Sequence, residues 1–157
     1  METTVVVRAI AIPDDFVARM RIAEFDDFGH RIERLRSRER GNPCRSCLRL
    51  SEPGDELLLV SYRPLPDTSP YAEVGPIFIH RRECVPFQGE FPDDFLVRPL
   101  VVRAYDRRGW ISDAVIAQPG EATEAAARFL SREDVAEVHL RHVSYTCFDF
   151  KIVRSAA

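Results

Sequence analysis

Apolar positions along this chain change period several times, and each change predicts an element. Thr4 to Ile10 is apolar and β-branched and predicts a strand. Pro13-Asp14-Asp15-Phe16 reads as a helix entry, with proline early and acids near the positive end of the helix dipole. That helix would carry Phe16, Val17 and Met20 on one face. From Asp26 to Arg40 the firm apolar anchors are Ile32 and Leu35, and the pattern fits helix and extended chain alike. Gly41-Asn42-Pro43 breaks whatever precedes it.

Glu56 to Tyr62 predicts a buried strand, and Pro76 to His80 a second one antiparallel to it. Between them Arg63 to Gly75 is a long loop stiffened by Pro64, Pro66 and Pro70. Leu96 to Tyr105 and Trp110 to Ala117 predict a hairpin around Asp106-Arg107-Arg108-Gly109. Glu121 to Leu130 is alanine-rich and helical. Val138 to Val143 and Cys147 to Ile152 form a last alternating pair, with Phe148, Phe150 and Ile152 expected on the core side and Cys147, Asp149 and Lys151 on the other. The order strand, strand, helix, strand, strand predicts an α+β domain over 1–157: a mostly antiparallel sheet with helices packed on one face. Pro-Asp-Asp-Phe occurs at 13–16 and 92–95, on opposite sides of a Val-Val-Arg-Ala run, which marks a coincidence and not a repeat.

Composition narrows the function classes. The 157 residues are 45% hydrophobic and 30% charged, a globular balance. A net charge of -3 argues against an electrostatic grip on nucleic acid or an anionic membrane. Arg31, Arg34, Arg36, Arg38 and Arg40 alternate with Glu33 and Glu39 and lack stacking aromatics, so they read as a solvated face. The Thr4–Ile10 stretch is too short and too interrupted for a signal peptide or a membrane span, which makes the cytoplasm the expected compartment. Cysteines there are reduced or metal-bound more often than disulfide-paired.

The candidate chemistry lies in Pro43-Cys44-Arg45-Ser46-Cys47-Leu48 and His80-Arg81-Arg82-Glu83-Cys84. Two thiols two residues apart can curl around one cation, and structural zinc takes four cysteine or histidine ligands tetrahedrally. The predicted hairpin sharpens this: antiparallel pairing brings the start of the first strand beside the end of the second, and the two half-sites flank those ends. Cys44, Cys47, His80 and Cys84 are therefore the candidate zinc ligands. Two other readings stand beside this one: ordinary reduced thiols, with Cys47 and Cys84 partly buried as small hydrophobes, and a redox Cys44-x-x-Cys47. The close Pro53-Gly54 leaves little room for the helix N-terminus that a reactive thiolate uses. His139 and His142 fall on opposite faces of one strand and cannot chelate together. Tyr71 and Glu73 on the 63–75 loop are candidate binding residues, because long ordered loops often carry function. Phosphate-binding loops, dinucleotide fingerprints, H-E-x-x-H and G-x-S-x-G motifs are absent.

Asn42-Pro43-Cys44-Arg45-Ser46-Cys47-Leu48, Glu52-Pro53-Gly54-Asp55-Glu56-Leu57-Leu58-Leu59 and Ser69-Pro70-Tyr71-Ala72-Glu73-Val74-Gly75-Pro76-Ile77-Phe78 together resemble bacterial domain-of-unknown-function family 1203. The resemblance is close over 42–84 and looser to the end. It implies a domain and no catalytic residue. The expected function is a cytoplasmic binding or accessory module, with structural zinc at the Cys/Cys/His/Cys corner. The alternatives are a thiol oxidoreductase at Cys44-x-x-Cys47, an enzyme using a pocket under the 63–75 loop, or a plain protein-interaction domain.

Overall fold

In the computed structural model, which describes residues 5–156, the named strands pair wholly antiparallel but divide into two sheets. The larger is built from β1 (Val7–Ile10), β5 (Leu100–Tyr105), β6 (Ile111–Ala117), β7 (Glu137–His142) and β8 (Phe148–Arg154), in the order β1-β8-β7-β5-β6. The smaller is β2 (Glu33–Arg36), β3 (Glu56–Tyr62) and β4 (Gly75–His80), in that order. Two helices, α1 (Asp14–Ile22) and α2 (Ala122–Leu130), complete the α+β fold. Thr4, the first residue of the expected N-terminal strand, lies outside the described residues.

Each helix belongs to a different core. Helix α2 turns Ala122, Ala125, Ala126, Phe129 and Leu130 inward, a spacing of three and four that makes one apolar stripe. The stripe packs on one face of the larger sheet against Leu100, Val102, Leu140, Phe150 and Ile152. Leu130 is fully buried there, so Leu130→Ala would cost about 2–5 kcal/mol. Helix α1 buries Phe16, Val17 and Met20, as its sequence predicts, but in a second core with Leu58, Val60, Ile77, Ile79 and Phe148. Its first turn holds Asp14 and Asp15, which favour the dipole, while Pro13 provides no side-chain cap.

The ambiguous stretch from Asp26 to Arg40 is extended. All four residues of β2 are exposed, so no amphipathic period marks it; only pairing to β3 makes it a strand. Asp26 anchors its approach by accepting hydrogen bonds from the backbone of Phe28, His30 and Ser61. The arginines of the run meet solvent and acids: Arg31 pairs with Glu24, Arg36 with Glu56 and Arg40 with Glu52. The hairpin of β5 and β6 turns on Gly109, whose φ of +78° and the 3.0 Å from a would-be Cβ to Ser69 both favour glycine.

One expectation fails in an informative way. Leu140 pairs with Phe150, but Arg141 pairs with Phe148, so the register slips and Asp149 is an extra residue in β8. Phe148 therefore does not share a side with Phe150 and Ile152. It crosses to the face of His139, with ring centroids 5.2 Å apart, and joins the second core. Asp149, expected on an outward face, is fully buried.

Candidate metal centre

The segment from Pro43 to Leu50 closes on itself before it meets anything else. Pro43 bridges Leu50, Cys44 donates its N–H to Arg49 O at 2.9 Å, and Leu48 donates to Cys44 O at 2.9 Å. Leu48 adopts φ +55°, the left-handed conformation that lets the chain curl back after the second cysteine. The segment is also stitched along β4, because Cys44 bridges Phe78 and Arg45 donates to Phe78 O at 3.0 Å. Following β4 by two residues leads to His80, and four further residues lead to Cys84. The β3–β4 register places His80 opposite Leu57, beside the start of β3, as the predicted hairpin requires.

The four groups converge. The ligand atoms of Cys44, Cys47, His80 and Cys84 all lie within 4.8 Å of one another. Cys44 Sγ is 3.9 Å from Cys84 Sγ, and Cys47 Sγ is 3.5 Å from His80 Nδ1. Cys44 is 0% exposed and Cys47 7%. Two groups that the sequence did not single out surround the cluster. Asp55 Oδ2 lies 3.0 Å from His80 Nε2, which turns Nδ1 toward the sulfurs. Arg21, from α1, donates from Nη2 to Cys84 Sγ at 3.4 Å and from Nε to His80 O at 3.1 Å. The backbone N–H of His80 points at Cys44 Sγ, 3.3 Å away.

These groups compete for protons. Hydrogen bonds from Cys47, then Cys84, hold the Cys44 thiol far below its ordinary value. Cys47, donating to Cys44, is pushed far above it. His80 is raised to about 11 by its contacts with Cys44 and then Cys84. Without a cation these contacts favour the thiolate at Cys44 and the protonated ring at His80, and a metal would replace those protons. Three soft sulfurs and one imidazole suit a borderline cation, and the histidine–carboxylate contact is the usual support for a metal-bound imidazole.

Arg45, between the two cysteines, reaches away from the cluster into the larger sheet. Its Nε donates to Phe148 O at 2.8 Å, Nη1 donates to Pro43 O, and Nη2 lies 3.2 Å from Asp149 Oδ1. Both side chains of that pair are buried. His142 Nδ1 approaches the same Asp149 oxygen to 2.8 Å. These are ion-pair distances, yet the N–H vectors miss the carboxylate, so Asp149 is neutralised without a well-aligned hydrogen bond. Burial, opposed by Asp149, lowers the Arg45 pKa. The bulge is what turns Asp149 toward this pair.

The remaining candidates lie elsewhere. Glu73 is 3.5 Å from Arg103 and 3.6 Å from Arg141, across the charged face of the larger sheet. Tyr71 meets the edge of Trp110 at 6.4 Å between centroids. The cavity that Glu73 lines, with Arg141 and Phe148, holds about 130 Å³, below the range of small-molecule sites. Cys147 stands apart from the other three cysteines, with its thiol toward Tyr145 O. His139 is fully buried, with Nε2 2.8 Å from Glu137, and shares no site with His142.

Fold and site together define an antiparallel α+β protein with a Cys₃His cluster able to hold a metal ion. Residues 41–154 match the model of a family described as protein of unknown function (DUF1203), and the chain belongs to that family. The match contains all four clustered ligands and Asp55, whereas β1 and α1, with Arg21, precede it. No curated protein and no solved structure matches the chain. Among the described residues no helix is long and apolar enough to cross a membrane.

Proposed function

We propose that this protein is a binding or accessory module of the bacterial cytoplasm whose two half-sites are locked by a structural zinc ion at Cys44, Cys47, His80 and Cys84. One observation carries the reading: the four ligand atoms lie within 4.8 Å of one another, and two of their separations match the edges of a zinc tetrahedron. Arms of about 2.3 Å to sulfur and about 2.0–2.1 Å to nitrogen give edges of about 3.8 Å between sulfurs and about 3.5 Å between sulfur and nitrogen. The separations between Cys44 Sγ and Cys84 Sγ and between Cys47 Sγ and His80 Nδ1 are 3.9 Å and 3.5 Å.

The role is structural because four protein ligands leave no open position for water. Three thiolates around a dication carry one excess negative charge, and the guanidinium of Arg21 at Cys84 offsets it. The ion ties the 43–50 segment to the end of β4 and, through Arg21, to α1. A thiol oxidoreductase is disfavoured by burial: a nucleophilic sulfur must reach its partner disulfide, and Cys44 has no exposed surface.

Elemental analysis of untagged protein, followed by thermal unfolding with and without a strong chelator, tests the proposal. About one equivalent of zinc, and a lower Tm once it is stripped, are expected. Less than about a tenth of an equivalent, with an unchanged Tm in chelator, overturns it.

A further inference from the structure

A second site lies on the far side of Arg45 from the metal cluster. A cleft of about 890 Å³ opens between the two sheets, within the range of small-molecule sites. Its floor is the cross-strand pair Leu59 and Phe78, which are register partners on β3 and β4. Leu58, Val60, Ile77 and Ile79 alternate with them and fill the second core, so Leu59 and Phe78 turn to the opposite face. Val97, Pro99 and Val143 form the facing wall, and Tyr145 stands at the mouth, 81% exposed.

The charged groups of the cleft are cationic. Arg45, Arg98 and His142 line it, and no Asp or Glu does among the described residues, although the whole chain is acidic. Arg45 is spent on Asp149, Phe148 O and Pro43 O. Arg98 differs. Its Nη1 donates to His142 Nε2 at 2.6 Å. Among the described residues Arg98 has no carboxylate partner, and its half-buried guanidinium keeps unused donors at the wall. Arg45 and Asp149 cancel, and one positive charge remains, held over an apolar floor.

We propose that this cleft binds a small organic monoanion, a carboxylate with an apolar or aromatic body: the carboxylate pairs with Arg98 and the body lies on Leu59 and Phe78. One net positive charge matches a carboxylate better than a phosphate dianion, and a planar guanidinium receives a carboxylate through two parallel hydrogen bonds. Arg45 holds Asp149 close to His142, the ring on which Arg98 rests. The site is separate from the metal cluster, and its failure would leave the zinc reading intact.

The test is a ¹H–¹⁵N titration of the full-length protein with benzoate, and with benzamide and inorganic phosphate as controls. Benzoate is expected to shift resonances of Arg98, His142, Val143 and Tyr145 saturably, with benzamide and phosphate each at least about tenfold weaker, since a charged hydrogen bond is at stake. Arg98→Gln should weaken benzoate at least about tenfold while zinc content stays as in the wild type. Val143→Glu, which places a like charge on an exposed wall residue, should do the same and guards against a folding defect in the first variant. The proposal is overturned by an absence of saturable shifts, by benzamide or phosphate binding as tightly as benzoate, or by undiminished binding in folded Arg98→Gln and Val143→Glu.

Discussion

His80 is held from both sides of its ring: Asp55 Oδ2 sits 3.0 Å from Nε2, while Nδ1 faces Cys47 Sγ at 3.5 Å. Asp55 is itself placed by the loop before β3, where it accepts the N–H of Glu52 at 2.8 Å. Asp55→Ala should therefore leave the fold standing and loosen the imidazole. Zinc affinity is expected to fall about 10–100-fold, the usual effect of losing such a carboxylate, as read by competition with a chromophoric chelator. Unchanged affinity would show that the ring is oriented by packing alone.

Cysteine substitutions should separate sharply by position. Cys44→Ser removes a fully buried ligand and the group toward which the His80 N–H points. Loss of stoichiometric zinc is expected, with about 3 kcal/mol or more of stability, or roughly 6–12 °C in Tm for a chain of this size. Cys147→Ser, outside the cluster, should keep its zinc and nearly all of its Tm. Metal analysis and calorimetry on the two variants decide the matter.

The Arg45–Asp149 pair predicts asymmetry. Removing one partner strands a charge in the interior, so Arg45→Met or Asp149→Leu alone should cost about 3–5 kcal/mol. The double variant should recover part of that loss, because an apolar pair carries no desolvation penalty. Urea midpoints for the cycle read the coupling; strictly additive losses would mean that the two charges do not depend on each other.

His139 sets a pH dependence. Burial holds its imidazole below the ordinary value of 6.5; Glu137 opposes that shift, and Arg141 and Lys151 deepen it. The unfolded chain thus accepts a proton that the folded one refuses. Stability from this group is complete above about pH 6.5 and is lost as pH falls from there through the folded value. The wild type should lose stability from about pH 7 to about pH 5 more steeply than His139→Gln, which retains a donor for Glu137. Denaturant melts across that range give the comparison, and parallel slopes would contradict it.

Leu48 weighs backbone strain against burial. Its φ of +55° costs about 1–2 kcal/mol in a residue with a Cβ, and glycine would relieve that. The side chain is nevertheless buried in the larger core, while Cys44 and Cys47 belong to the other. Truncating a buried leucine costs about 2–5 kcal/mol, so Leu48→Gly should be a net loss of up to about 4 kcal/mol by thermal unfolding. A gain would mean that the turn alone governs this position.

These positions show what was legible in the sequence. The β3–β4 hairpin follows from two apolar runs, and cysteine spacing at its flanks was enough to gather four ligands, because both signals are local. Strand β2 left no period, since all of its side chains face water. Arg21 reaches Cys84 across 63 residues, and Asp55 looks like an ordinary loop acid until His80 is beside it. The bulge was invisible for a related reason: period two assumes an unbroken count, and nothing near Asp149 announces an extra residue.

That extra residue decides which interior each aromatic ring enters. Excising Asp149 would close the bulge and leave Phe148 opposite Arg141, still on the face where it touches Tyr62 and His139, while removing the carboxylate that Arg45 and His142 approach. The contact between the two layers thus depends on the parity of one strand, and a single codon deletion there would take away the buried charge and keep the ring.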